Sequence, residues 1–134
     1  MKKNELSDRL FEFAKNVILI LRKLPNSSDL KIIKYQLVKA AGSSGANYEE
    51  AQSGSSKADF TYKVELSLRE MRESNYWLRL IKETSDGYSS SIFTQLETLI
   101  DEAGQLLAGF RVARFLAAFH CSTGWWAIGE PACQ

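Results

Sequence analysis

The stretch FTYKVELSLREMRESNYWLRLIK, residues 60–82, decides the fold. Phe60, Val64, Ser67, Leu68, Met71, Asn75, Leu78 and Ile81 recur at helical spacing, so they share one face of an α-helix. A second stripe, Tyr62, Leu66, Glu73, Trp77 and Leu80, runs beside the first. Opposite charges stand four residues apart: Asp59 with Lys63, Glu65 with Arg69, Arg69 with Glu73, and Arg79 with Glu83. Each such pair adds only a few tenths of a kcal/mol, but together they support a long helix. Ser56 with Asp59 three residues later resembles a capping box, which starts this helix at Lys57. It is predicted to run to about Thr84, a length of roughly 30 Å or more.

The flanking segments follow the same period. Leu6, Leu10, Phe13, Ala14, Val17, Ile20, Leu21 and Leu24 predict a first helix from about Glu5 to Leu24, ended by Pro25-Asn26. Ser27 or Ser28 is a good N-cap for a second helix, with Asp29 in its first turn. Its inward face, Ile33, Leu37, Ala40, Ala41 and Ser44, thins to small residues around Gly42 and Gly45. Each glycine costs about 1 kcal/mol of helix stability relative to alanine, which points to close packing or to function there. A fourth helix begins near Ser91, with Ile92, Leu96, Leu99, Ile100, Ala103, Leu106, Leu107 and Phe110 in register, and extends to Phe119. The last stretch, with Gly124, Gly129 and Pro131, reads as an irregular apolar tail.

Long helices joined by short loops make sequential neighbours antiparallel. The expected fold is all-α: an antiparallel up-down-up-down four-helix bundle over residues 1–120, with 121–134 as the tail. The third helix has more apolar and aromatic surface than one contact face uses. Tyr62, Leu66, Tyr76, Trp77 and Leu80 are therefore the expected contacts between copies of the chain.

Composition narrows the chemistry. The chain has 134 residues, enough for one domain with a real core. Its 45% hydrophobic and 25% charged content excludes a disordered chain. The two cysteines, Cys121 and Cys133, lie near the end, so no disulfide framework is expected and a cytoplasmic location is. No apolar run approaches the ~20 residues of a membrane span, and Lys2 and Lys3 are not followed by a signal-peptide core. His120 is the single histidine. A bundle-type di-metal site needs Glu-x-x-His pairs, and Glu49, Glu50, Glu70 and Glu73 have no such partner. Ser43 and Ser44 have no histidine beside them, and Gly42 to Gly45 lacks the lysine of a phosphate loop. No enzyme, metal or cofactor is expected.

The net charge of +1 is unevenly spread. Residues 1–27 hold six basic and three acidic residues, residues 28–54 and 55–86 each balance, and residues 87–134 hold two basic against four acidic. The candidate phosphate contacts are therefore Lys2, Lys3, Arg9, Lys15, Arg22 and Lys23. Tyr48, Tyr62, Tyr76 and Trp77 offer rings for stacking on bases, though aromatics at helical spacing more often serve as core or interface.

Three segments carry a resemblance. They are Ala41-Gly42-Ser43-Ser44-Gly45-Ala46-Asn47-Tyr48-Glu49-Glu50-Ala51, then Lys57-Ala58-Asp59-Phe60, then Leu66 to Leu80 with its Arg69-Glu70, Glu73 and Tyr76-Trp77-Leu78. Over roughly residues 5–110 the chain resembles the bacterial four-helix-bundle proteins of the 23S ribosomal RNA intervening-sequence family. The resemblance implies a small cytoplasmic protein, a homo-oligomeric ring of the pentameric kind, and a scaffold or interaction role. Family members are similar in fold to the accessory protein of diversity-generating retroelements, a basic pentamer that binds reverse transcriptase and nucleic acid. That similarity implies the alternative: a nucleic-acid-binding accessory factor with RNA or a ribonucleoprotein as partner. The chain departs from the family pattern in the apolar run from Phe115 to Ile128, whose role sequence alone leaves open.

The motif also has a physical reading. Ser43, Asn47 and Glu50 share one face of the second helix, and Glu70, Glu73 and Trp77 one face of the third. Antiparallel packing is expected to join Ser43, Asn47, Glu50, Glu70 and Glu73 in a partly buried polar network that fixes register.

Overall fold

Leu6, Leu10, Phe13, Val17, Ile20 and Leu21 all lie on one side of α1 (Glu5–Leu21), and all are buried. The other elements of the computed structural model are α2 (Ser28–Gln52), α3 (Lys57–Glu83) and α4 (Ser90–Phe119). It describes residues 5–54 and 56–119, with side chains as far as residue 116, and among these there is no strand. The tail and His120 lie outside the described residues.

Each helix packs on the next in sequence, and α4 closes the square against α1. The side-chain contacts give the direction. Lys63 meets Glu50 and Ser44 meets Ser67 between α2 and α3. Between α3 and α4, Glu65 meets Arg114, Asn75 meets the Ile100 carbonyl and Lys82 meets Glu97. Between α1 and α4, Arg9 meets Glu102 and Lys23 meets Gln95. In every pair one number rises as the other falls, so adjacent helices are antiparallel and the bundle is up-down-up-down. Its centre is filled by Leu37, Val64, Leu68, Met71, Leu78, Leu96 and Leu106. Tyr48 reaches across to Phe110 edge-to-face, with centroids 5.8 Å apart.

The local chemistry explains most boundaries. Ser56 accepts a hydrogen bond from the Asp59 amide and caps α3. Ser27 makes no such bond to α2. There Asp29 accepts from the Leu30 amide instead, and the Ser27 hydroxyl first and then this bond hold its carboxyl below the usual range. Helical bonding in α1 stops at Leu21, three residues before the predicted end. The Lys23 and Leu24 amides then bond to Ile20 and Leu21, which still buries Leu24 ahead of Pro25. Lys34 Nζ closes that turn on the Leu24 carbonyl and Asn26 Oδ1, at 2.8 and 2.9 Å. Gly87 takes φ +86° in the α3–α4 turn, a conformation that side chains disfavour.

Candidate functional site

The polar residues of the α2–α3 seam fall into separate arrangements. Asn47 Nδ2 donates to the Ser43 carbonyl at 2.8 Å, along α2. Glu50 crosses to α3, where it holds Lys63 at 2.6 Å and raises the lysine's affinity for its proton. Glu73 accepts from Trp77 Nε1 at 3.1 Å, within α3. Glu70 is half-buried; desolvation first, and then the Glu73 charge, raise its pKa, while Lys39 of α2 opposes them. Thus Ser43 is joined to Asn47, and no hydrogen bond among the described residues joins either to Glu70 or Glu73.

The seam has a buried polar feature that helical spacing reveals in part: Ser44 and Ser67 fall on the expected inward faces, and Ser74 does not. Ser44, Ser67 and Ser74 are fully buried. Ser44 Oγ donates to the Ser67 carbonyl at 2.9 Å, which stitches α2 to α3. Ser74 Oγ returns to the Glu70 carbonyl of its own helix. The Ser67 hydroxyl has no partner among the described residues. Serine is small enough to let two helices approach closely, and its hydroxyl can bond a nearby backbone carbonyl.

The cations expected to meet phosphate are mostly engaged. Arg9 Nε donates to Glu102 at 3.0 Å and its Nη2 to Gln105 at 3.3 Å, both on α4. Lys15 pairs with Glu12, and Lys23 donates to Gln95 at 2.9 Å. Arg22 is exposed without a partner among the described residues. Lys2 and Lys3 lie outside them.

On α3 the reverse holds. Glu65 turns to Arg114 of α4 at 3.0 Å, Glu73 to Trp77, and Lys63 to Glu50. Those partners replace the predicted pairs of Lys63 with Asp59 and of Arg69 with Glu65 and Glu73, and the Arg79–Glu83 pair is not formed. Arg69, Arg72 and Arg79 are left exposed, without a hydrogen bond or ion pair among the described residues. The proposed contact residues lie on and beside this face. Tyr62 and Tyr76 are 60% and 51% exposed, whereas Leu66, Trp77 and Leu80 are half-buried and Trp77 leans on the core.

The three most exposed large apolar side chains among the described residues lie on α1 and α2, while Val112 and Phe115 of α4 are also exposed. Phe11 is 70% exposed, Ile32 65% and Tyr35 67%, and Ile18, Leu19 and Val38 are exposed too. On α2 the exposed surface continues into Gly42 and Ala46. Among the described residues no group of three or more His, Cys, Asp or Glu is placed to hold a metal ion. None of the described helices is long and apolar enough to cross a membrane.

An antiparallel four-helix bundle with polar helix seams and open apolar faces is a class that many activities share. Within it, the chain belongs to the 23S rRNA-intervening sequence protein family, whose model matches residues 2–109. It is similar to a crystal structure from Bacteroides thetaiotaomicron, described as a protein with unknown function from the S23 ribosomal protein family. The two share 25% identity and a TM-score of 0.71, over 81% of this chain and 97% of that one. No curated protein matches.

Proposed function

We propose that this chain is a non-enzymatic cytoplasmic protein that assembles with copies of itself into a ring and serves as a scaffold. The observation that supports this is the open apolar surface on α1 and α2, where Phe11, Ile32 and Tyr35 are each about two-thirds exposed. Burying one such side chain is worth roughly 1.5–3 kcal/mol, so several together are strongly disfavoured in water. A second copy suits this surface. The net charge of +1 sets up little repulsion between copies, and Gly42 and Ala46 admit a neighbouring backbone.

Ring closure needs two different faces that fit each other. The α1–α2 surface is one. The α3 stripe of Tyr62, Leu66, Trp77 and Leu80 supplies the other, and Tyr76 stands at its edge. A ring of the pentameric kind follows the family pattern. Light scattering on a size-exclusion column tests the reading. The parent chain is expected at several protomer masses, and the double variant Phe11→Glu, Tyr35→Glu at one. A monomeric parent, or a double variant that assembles as the parent does, overturns it.

A further inference from the structure

Arg69, Arg72 and Arg79 stand with Tyr76 at positions i, i+3, i+10 and i+7 of α3. At 100° per residue these four share a face about 80° wide, over a rise of about 15 Å. All four are exposed. The three cations have no partner among the described residues, although carboxylates stand near them in sequence. Glu65 is committed to Arg114 and Glu73 to the Trp77 indole. Glu83 remains, one turn beyond Arg79 and itself exposed. One turn before Arg114 on α4, Arg111 is also exposed and without a partner among the described residues.

We propose that this face of α3 binds single-stranded nucleic acid, with Arg69, Arg72 and Arg79 on successive phosphates and Tyr76 stacked on a base. The site goes beyond the assembly reading and uses the side of α3 nearer α4. Three features select the ligand. Every unpaired cation on this stretch is an arginine, whose planar fork matches phosphate oxygens two at a time. Tyr76 is open on the same face and is set edge-to-face on Trp77, with centroids 5.0 Å apart and planes at 74°. That contact, with the Trp77 indole tied to Glu73, presets the ring for stacking. An acidic peptide would use the charges and leave the ring idle, and a duplex hides the faces of its bases.

The test is fluorescence anisotropy of the full chain with a labelled single-stranded RNA of mixed sequence, from about 50 mM salt upward. The parent is expected to bind with a clear salt dependence. The triple variant Arg69→Gln, Arg72→Gln, Arg79→Gln is expected to lose tenfold or more in affinity. Its slope of log affinity against log salt flattens by about 2, since each single-strand phosphate contact contributes about 0.7. Tyr76→Ala is expected to lose about 5- to 150-fold on single strands and little on a duplex. Arg22→Gln with Lys15→Gln, just past and on α1, is expected to bind as the parent does. Circular dichroism and native mass, measured on each variant, separate loss of the site from loss of fold or assembly. A parent that does not bind at about 50 mM salt overturns the proposal, as does a folded triple variant that binds like the parent. Displacement of the RNA by polyglutamate as effectively as by unlabelled RNA also overturns it, in favour of an acidic protein partner.

Discussion

Gly42 gives a direct experiment on why this helix is built as it is. The residue sits inside α2, exposed, and an added Cβ would meet nothing within 4 Å. A glycine inside a helix is worse than alanine by about 0.8–1.0 kcal/mol. Nothing in the protomer offsets that cost, so Gly42→Ala is expected to stabilise the protomer by about that amount. For a domain of this size the midpoint of thermal unfolding rises by about 3–6 °C. Leucine has nearly the intrinsic helix propensity of alanine, so Gly42→Leu gives the dilute protomer most of the same gain. It also raises a branched side chain where the backbone is now bare. If another copy crosses α2 closely at this point, leucine holds the two helices apart and the assembly weakens. Urea unfolding at high dilution reads the protomer, and light scattering at tens of micromolar reads the assembly. The expected pattern is a gain in protomer stability for both variants, with a lower mass for leucine. Gly42→Leu with raised stability and the parent's mass refutes the close crossing. Gly42→Ala with lowered protomer stability refutes the open space around the glycine.

Four further substitutions probe the seam and the core. Ser67→Ala removes a buried hydroxyl with no partner among the described residues, and since such a group costs about 1–3 kcal/mol, the variant is expected to be more stable than the parent in urea. Ser44→Ala removes the bond to the Ser67 carbonyl and is expected to lose about 1 kcal/mol, so a shared sign for the two would contradict the seam as described. Leu68→Ala opens a cavity at a fully buried position and is expected to cost about 2–5 kcal/mol, read as a lower urea midpoint. Glu70 is harder to ionise in the fold than in the unfolded chain, because desolvation and then Glu73 disfavour its charge. The unfolded state therefore holds the ionised form more easily, and stability falls as pH rises through the raised value. Glu70→Gln is expected to be more stable than the parent near pH 7, with the gap closing below the carboxylate range; a gap that widens in acid would reverse the assignment.

The helices were legible because burial imposes a period on sequence. Leu68, Met71, Leu78 and Ile81 were expected on the inner face of α3 and are buried there. Pro25 and the serine caps marked where helices stop and start, although the bonding of α1 ends three residues early because a tighter turn carries Leu24 into the core. The seam was less legible. Asn47 and Ser43 share a face of α2 and do bond, but Ser44, one position along, makes the bond to α3. Periodicity says which side of a helix a residue occupies. Which polar atom meets another helix depends on register and spacing, which arise only when two helices pack. The open apolar side chains of α1 and α2 were missed for a related reason: Phe11, Ile32 and Tyr35 lie off the periodic stripe, and an off-stripe apolar residue is common enough on any surface to carry no signal alone.

Charge shows most sharply how packing changes what a sequence implies. Counted along the chain, the excess of basic residues lies in residues 1–27 and the excess of acidic ones in residues 87–134. The helices within these segments, α1 and α4, are neighbours in the bundle. Arg9 therefore spends its charge on Glu102, and Lys23 on the Gln95 amide, so much of the basic excess is complementarity inside the fold. The third helix carries six basic and five acidic residues, yet three of its arginines are left without a partner among the described residues. Glu65 is drawn to Arg114, while the indole of Trp77 occupies Glu73. Arg69 thereby loses both carboxylates that lie four residues from it in sequence, Arg72 has none at that spacing, and Glu83, four from Arg79, makes no pair with it. A helix with a net charge of only +1 can thus present an arginine face, and a basic segment such as residues 1–27 can present less than its count, when neighbours compete for the same side chains. Local pairs are worth only a few tenths of a kcal/mol, so modest tertiary contacts are enough to redistribute them.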